Sequence, residues 1–227
     1  MKKSTIIITA FAAFIVLSTL IFYIDAKSHE GKENEWKKAN QKEFKINDFK
    51  VLVAEEGADV HFVSRDTSKI IAETENDSVF PNKLYAQSND TLYVYKGARL
   101  YAHGKSLKSV ISRNAKWIGI HPYIADTLKL DIQGGELQLN VYEDNKLSKY
   151  NYIQISATKK ADIRMGGNIS AQKILLNATE SSINFYDGNF NNMDAKLSTK
   201  SELKIGRILN TITNLRADKD STSQVSY

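Results

Sequence analysis

The sequence feature that most constrains the fold is a short pattern that recurs through residues 152–227. The copies read YIQISATKKADIRM, ILLNATESSINFY, DAKLSTKSELKIG and TNLRADKDSTSQVSY, and aligning Ala157, Ala178, Ser198 and Ala217 gives steps of 21, 20 and 19 residues. Each copy contains two alternating runs separated by polar turn residues, so one face of each strand points inward. A strand-rich repeat of about 20 residues is typical of a β-solenoid, in which each coil stacks on the previous one. We therefore expect Ile155, Leu176 and Leu215 to share one interior column.

The N-terminus predicts a membrane anchor over residues 1–25. Lys2 and Lys3 precede an uncharged run from Ser4 to Ile24, and about 20 apolar residues suffice to cross the hydrocarbon core. A cleaved signal peptide is the alternative, with its cleavage site near Ala26. We favour an uncleaved single-pass helix because the run is long and Tyr23 lies where interfacial aromatics are common. The expected orientation has the N-terminus inside and the body exported to the periplasm or the cell exterior.

The remaining chain predicts a polar stalk followed by one all-β domain. Residues 26–43 carry dense mixed charge, and residues 44–227 form the β-solenoid, with opening strands over 44–125 and repeating coils over 126–227. No window of this body shows a 3.6-residue apolar period, so helices are not expected there. The last strand has no evident cap and would leave an exposed edge. We expect a partner, a second copy or a twisted last coil to cover that edge.

The segment 91–125 predicts a binding site for an anionic glycan. It contains six Lys or Arg residues and no Asp or Glu, whereas the whole chain has a net charge of only +5. Positive charge interleaved with aromatic rings suits anionic saccharides or single-stranded nucleic acid, and export makes nucleic acid an unsuitable partner. The candidate residues are Lys96, Arg99, Tyr101, Lys105, Lys108, Arg113, Lys116 and Trp117. The alternative is structural, with the aromatics forming cross-strand pairs and the lysines solvating a face.

The sequence contains no motif for catalysis, a metal or a cofactor. The chain has no cysteine, and its four histidines are not at metal-ligand spacing; His61 alternates with apolar neighbours on a strand and is expected to face solvent. Solenoid polysaccharide lyases and hydrolases cluster acids on one strand face. Such an enzyme is the remaining catalytic alternative, and it would require Asp162, Asp187 and Asp194 to stack across the coils.

The order of several short motifs resembles a family of exported bacterial proteins named for the head domain of an auto-transporter adhesin, the GIN domain family. The matching segments are 49–53 (FKVLV), 57–62 (GADVHF), 69–76 (KIIAETEN), 89–94 (NDTLYV), 156–165 (SATKKADIRM) and 177–186 (NATESSINFY). Ser156 and Asn177 stand where family members often carry glycine. The resemblance implies a right-handed β-helix-like fold and export, and it supplies no catalytic residues.

These observations together predict a membrane-anchored, exported β-solenoid with a structural, adhesive or envelope-associated binding role. The alternatives are a module that binds anionic glycans through segment 91–125 and a polysaccharide lyase or hydrolase.

Overall fold

The computed structural model describes residues 14–24, 27, 40–74, 80, 83–141, 146–206 and 210–226. The chain divides into two compact units, Met1–Gln41 and Lys42–Tyr227. In the first unit, residues 14–24 are helical, and the large apolar side chains there, such as Phe14 and Phe22, are exposed. None of the helical segments in the described part of the chain combines the length and apolar character that a bilayer crossing requires. Most of the predicted anchor and stalk, namely residues 1–13, 25–26 and 28–39, lies outside the described residues.

In its described residues the second unit is all-β, which confirms the all-β class predicted for residues 44–227. Its described strands are β1 Gln41–Lys45, β2 Val51–Ala54, β3 Asp59–Ser64, β4 Lys69–Glu73, β5 Tyr85–Ser88, β6 Thr91–Val94, β7 Arg99–Gly104, β8 Ser109–Ile120, β9 Ile124–Leu139, β10 Ser148–Thr158, β11 Asp162–Met165, β12 Ile169–Thr179, β13 Ser182–Phe185, β14 Gly188–Ser198, β15 Glu202–Ile205, β16 Asn210–Lys219 and β17 Gln224–Ser226. Alternating buried and outward residues along most of these strands explain why the chain folds as strands.

The described strands stack as eight parallel layers, which confirms the predicted solenoid. In order along the stack, the layers are residues 91–104 (layer 1), 51–64 (layer 2), 109–120 (layer 3), 124–139 (layer 4), 148–165 (layer 5), 169–185 (layer 6), 188–205 (layer 7) and 210–226 (layer 8). Layers 4 to 8 are regular coils that follow the chain in sequence. Each layer is held to the next by a parallel backbone ladder.

The first layers do not follow the order of the sequence. Layer 2 lies between layers 1 and 3, because β2 pairs with both β6 and β8, and β3 pairs with both β7 and β8. Beyond layer 1, β5 pairs antiparallel with β6, β4 pairs antiparallel with β7, and β1 pairs with β4. The segment predicted as opening strands therefore builds both the first layers of the stack and an antiparallel end to it.

Two columns of inward-facing apolar positions run through all eight layers; in layer 8, at the open end, Ala217 is exposed and Val225 is partly buried. One is Leu92, Leu52, Val110, Leu130, Ile155, Leu176, Ala195 and Ala217; the other is Leu100, Val60, Ile118, Leu137, Ile163, Ile183, Leu203 and Val225. Most of these side chains are buried in one core cluster. Since burial of apolar area is the main favourable term in folding, these columns are what makes the coils adhere.

The predicted repeat register is wrong in its later copies. Ala178 lies over Leu197 rather than Ser198, and Ser198 pairs with the outward Thr179. Leu215 lies over Met193, one inward position away from the column that holds Ile155 and Leu176. The alignment matched small residues with each other. Equivalent positions in successive coils share only their inward direction, and the interior accepts any apolar residue there.

Each regular coil has three sides. Side one holds residues such as 148–151, side two such as 152–158, and side three such as 162–165. Two successive outward residues mark the corner between sides one and two, as at Asn151 and Tyr152. The turn between sides two and three uses left-handed backbone, with a φ of 78° at Gly134 and 81° at Gly135. A Cβ on Gly135 would lie 1.9 Å from the Ala115 carbonyl oxygen, so only glycine fits there.

In the last layer, at the open end of the stack, lysine takes the column position that Leu197 holds in layer 7, and its side chain is exposed. Lys219 lies over Leu197, which is 3% exposed, and the Lys219 ammonium donates to the Ser223 carbonyl at 3.3 Å. Charged side chains directed inward are one means by which proteins protect an open strand edge from pairing. The sequence analysis identified no cap for this end and did not single out Lys219 as a residue that could protect the open edge.

The interior columns predict a contrast between two adjacent residues of β12. Ile174 is fully buried between Ile153 and Met193, whereas Leu175 faces outward between Gln154 and Asp194. Ile174→Ala should lower the free energy of unfolding by about 2–5 kcal/mol, because it leaves a cavity in the core. Leu175→Ala should cost less than about 1 kcal/mol. Urea unfolding followed by circular dichroism measures both changes. Equal losses of unfolding free energy in the two variants would contradict the inward orientation of Ile174 and the outward orientation of Leu175.

Candidate functional site

Side three presents two outward columns that cross the whole stack. The first contains Arg99, Asp59, Trp117, Glu136, Asp162, Ser182, Glu202 and Gln224, and the second contains Tyr101, His61, Gly119, Gln138, Arg164, Asn184, Lys204 and Ser226. Neighbouring strands lie about 4.8 Å apart, so eight layers extend over about 34 Å. Side three is therefore a long, narrow surface rich in polar and aromatic groups.

The structure distributes the eight predicted binding residues over three places. Arg99, Tyr101 and Trp117 lie together on side three. Lys96, Arg113 and Lys116 lie at or beside the turn between sides two and three, and Lys105 and Lys108 lie on the segment that joins β7 to β8. The eight residues therefore do not form one patch.

Acids from other segments pair with half of the cations in segment 91–125. Arg99 Nε lies 3.3 Å from Asp59 Oδ2, and Arg113 Nη1 lies 2.8 Å from Glu55 Oε1. Lys105 Nζ lies 3.7 Å from Asp48 Oδ2. Two of these acids lie in or next to layer 2, whose position between layers 1 and 3 brings them beside the cations. Although residues 91–125 include no acid, acids from other parts of the chain lie beside these cations. They reduce the attraction of the segment for anions.

His61 is covered rather than solvent-facing, which corrects the prediction from strand alternation. Its side chain points outward, yet it is only 14% exposed. The ring stacks on Tyr101 with a centroid distance of 5.0 Å and an interplanar angle of 20°, and it lies 5.6 Å from the ring of His121. His61 Nδ1 is buried and has no hydrogen-bond partner among the described residues. The aromatic groups thus form a closed cluster on the outside of the sheet.

Gly119 makes room for this cluster. A Cβ there would lie 2.7 Å from His61 Nδ1 and 3.1 Å from Trp117 Nε1, so the imidazole occupies space that any other residue would fill. Glycine within a strand often marks such a close approach. Two sequence signals could have indicated the cluster: a glycine, Gly119, within a strand, and the placement of Asp59 and His61 two residues apart, on the same face of β3.

Burial sets the protonation of His61. It lowers the pKa of His61 from its ordinary 6.5 to about 4; Asp59 opposes this shift, and His121 and Arg99 add to it. The nearest Asp59 oxygen lies 3.9 Å from His61 Nε2. The imidazole is therefore neutral at physiological pH, and this part of side three gains no positive charge from it.

Further along side three, layers 5 to 7 carry a network of paired charges that Glu136 of layer 4 also joins. Arg164 donates to Asp162 Oδ2 from Nε at 3.1 Å and from Nη2 at 2.5 Å, and its Nη2 lies 3.8 Å from Glu136 Oε2. Lys204 Nζ lies 2.9 Å from Glu202 Oε2, and Asn184 Nδ2 is 3.4 Å from Asp162 Oδ1. Hydrogen bonding to Asp162 raises the pKa of Arg164, so the guanidinium stays charged. No sequence pattern pointed to this network.

The three acids of the catalytic alternative do not lie together. Asp162 is on side three, Asp194 is on side two beside Lys173 at 3.5 Å, and Asp187 is in the turn after β13. Within the described residues, no group of three or more His, Asp or Glu side chains is arranged to hold a metal ion. The geometry of these acids does not supply the cluster that a solenoid lyase or hydrolase would need.

Comparison with known proteins shows the fold. A putative adhesin of Parabacteroides merdae has a TM-score of 0.57 at 15% identity over 82% of this chain and 94% of its own. A putative adhesin of Parabacteroides distasonis has a TM-score of 0.57 at 12% identity, over 82% and 96%. One of Bacteroides fragilis has 0.53 at 10% identity, over 82% and 95%. No protein-family model matches the chain, and no curated protein matches it significantly. The adhesin-like β-helical fold implied by the sequence resemblance is thereby confirmed.

The covered imidazole predicts a dependence of stability on pH. Because the pKa of His61 is about 4 in the folded chain and about 6.5 when unfolded, the unfolded state binds more protons between these values. His61 should therefore cost about 2 kcal/mol of stability as the pH falls from 7 to about 4.5.

Urea unfolding at several pH values measures this cost as the difference between wild type and His61→Gln. The variant should lose less stability than the wild type over this range, and an NMR titration of the imidazole should give a midpoint well below about 6. Parallel pH profiles for the two proteins would contradict the burial of His61.

Proposed function

We propose that the chain is a membrane-anchored, exported β-solenoid that serves an adhesive or envelope-associated binding role without catalysis. The observation that carries this proposal is side three, a straight surface of outward polar and aromatic side chains held in register by the parallel ladder. Stacked repeats commonly use such extended surfaces for binding. The shared fold with putative adhesins supports the same class of role.

The anchor is the finer part of the proposal and rests on sequence. Residues 4–24 are uncharged, and the helical residues 14–24 expose Phe14, Leu17 and Phe22, apolar side chains that a lipid environment would accept. We propose a single pass with Lys2 and Lys3 in the cytoplasm and the β-domain in the periplasm or outside the cell. The right-handed winding of the solenoid implied by the family resemblance is part of the same proposal.

The anionic-glycan alternative rests on the six cations of segment 91–125. Since Arg99, Lys105 and Arg113 are paired with acids, its remaining candidates are Lys108, which precedes β8, and Lys96 and Lys116, near the turn between sides two and three. These ion pairs therefore favour a general binding role over one specific to anions. A second copy at the last layer is the other partner that the open edge suggests, and Lys219 opposes it.

Labelling of an engineered thiol tests the proposed location, because the chain has no cysteine of its own. Lys196 is exposed on side two, so Lys196→Cys should be alkylated by a membrane-impermeant maleimide in intact spheroplasts. Lys3→Cys is the matched control and should react only after lysis. The full chain should also remain in the membrane fraction after alkaline carbonate extraction.

Cosedimentation of the detergent-solubilised chain with isolated cell-envelope material tests the binding role. Protection of the thiol in the Lys196→Cys variant until lysis would contradict export, release by carbonate would contradict the anchor, and failure to cosediment would contradict envelope binding.

A further inference from the structure

Tyr186 stands apart from the other side chains of the second unit. Among its described residues, the large apolar side chains that are exposed are Ile124, Leu147 and Tyr186, and Tyr186 leaves 57% of its surface open. Ile124 and Leu147 belong to side one. Tyr186 follows β13 at the edge of side three, next to the charge network of layers 5 to 7. An exposed aromatic ring within a polar surface is a common feature of binding sites.

Glycines on both sides keep the ring of Tyr186 accessible. The Tyr186 N–H donates a hydrogen bond to the Met165 carbonyl, and the Gly206 N–H donates one to the Phe185 carbonyl. This pattern places Gly166 and Gly206 at the positions of the adjacent layers that are equivalent to Tyr186. A Cβ on Gly166 would lie 3.3 Å from the Tyr186 Cβ and 3.6 Å from its Cδ2. The ring therefore lies beside Gly166, and among the described residues the equivalent positions of the two adjacent layers carry no side chain that could cover it. A flat ligand can lie against its outer face.

The charged groups beside this ring, three acids and two cations, are held in ion pairs. The acids Glu136, Asp162 and Glu202 accompany the cations Arg164 and Lys204, and each cation already has a carboxylate within 2.9 Å or less. An anionic ligand would have to displace these acids, and a cationic ligand would have to displace the arginine and the lysine. Such neighbouring donors and acceptors instead suit hydroxyl groups, which both donate and accept hydrogen bonds.

We propose that Tyr186 is the aromatic floor of a binding site for a neutral hexopyranose unit of a polysaccharide. The apolar C–H face of the sugar lies on the ring, and its hydroxyls exchange hydrogen bonds with Arg164, Asp162 and Asn184. Because side three continues as a straight surface past this site, further units of the same glycan can extend along the stack. This inference rests on the proposed binding function and names its ligand class and contact point.

Isothermal titration of the full chain in detergent with neutral hexasaccharides tests the proposal. The probes are cellohexaose, maltohexaose, mannohexaose and N-acetylchitohexaose, with hexagalacturonate as the acidic comparison. At least one neutral probe should bind, and bind more tightly than hexagalacturonate. Tyr186→Ala should weaken that binding about tenfold or more, equal to about 1.4 kcal/mol, while Tyr186→Phe keeps the ring and should stay within about threefold of wild type.

Ile124→Ala is the matched control, since Ile124 is 69% exposed on side one and should not affect binding. Unchanged binding by Tyr186→Ala, tighter binding of hexagalacturonate than of every neutral probe, or no binding of any neutral probe would each overturn the proposal. If the wild-type chain nevertheless cosediments with envelope material, only the ligand assignment fails. If it does not cosediment either, the proposed binding function fails with it.

Discussion

The structure depends on the backbone register that places each residue of one layer over its equivalent in the next. No coil has enough apolar area to fold alone, so each becomes stable only when its inward side chains contact those of its neighbours. The two columns that pass through Leu52 and Val60 lie in the buried core from layer 1 to layer 7. The ladder therefore decides which residues must be apolar, and it leaves the outward residues free to differ from layer to layer.

That freedom is used in two different ways on side three. In layers 1 to 3, Gly119 leaves space for the imidazole of His61, which stacks on Tyr101 and lies near the ring of His121, so the outer cluster is closed. In layers 5 to 7, Gly166 lets the ring of Tyr186 lie open, among charges that are already paired. Glycine creates space in both places. The difference is that the imidazole of His61 fills the space over Gly119, whereas the outer face of the Tyr186 ring is open to solvent.

The sequence was sufficient for features that are local, and insufficient for those that depend on the order of the layers. Alternating residues predicted the strands, and the repeat predicted stacking, because both follow from inward and outward directions within one coil. The repeat alignment placed Ser198 opposite Ala178, although the structure places Leu197 there. This error arose because the copies differ in length, so one copy can be moved by one residue while its polar turn still matches. The position of layer 2 could not be predicted, because the residue pattern of a strand does not specify which other strand it pairs with in parallel. The acids Asp48, Glu55 and Asp59 were therefore not assigned to the cations that they contact.

The order of the first three layers is the most direct test of this account. In the structure, the outward Val51 pairs with both Thr91 and Ser109, which places Thr91 and Ser109 two strand spacings apart, or about 9.6 Å. A disulfide requires Cα atoms within about 7 Å. Oxidation of the cysteine-free chain carrying Val51→Cys and Ser109→Cys should form the cross-link, and the pair Thr91→Cys and Ser109→Cys should not. A cross-link in the second pair and none in the first would show that the layers stack in sequence order, and would contradict the structure.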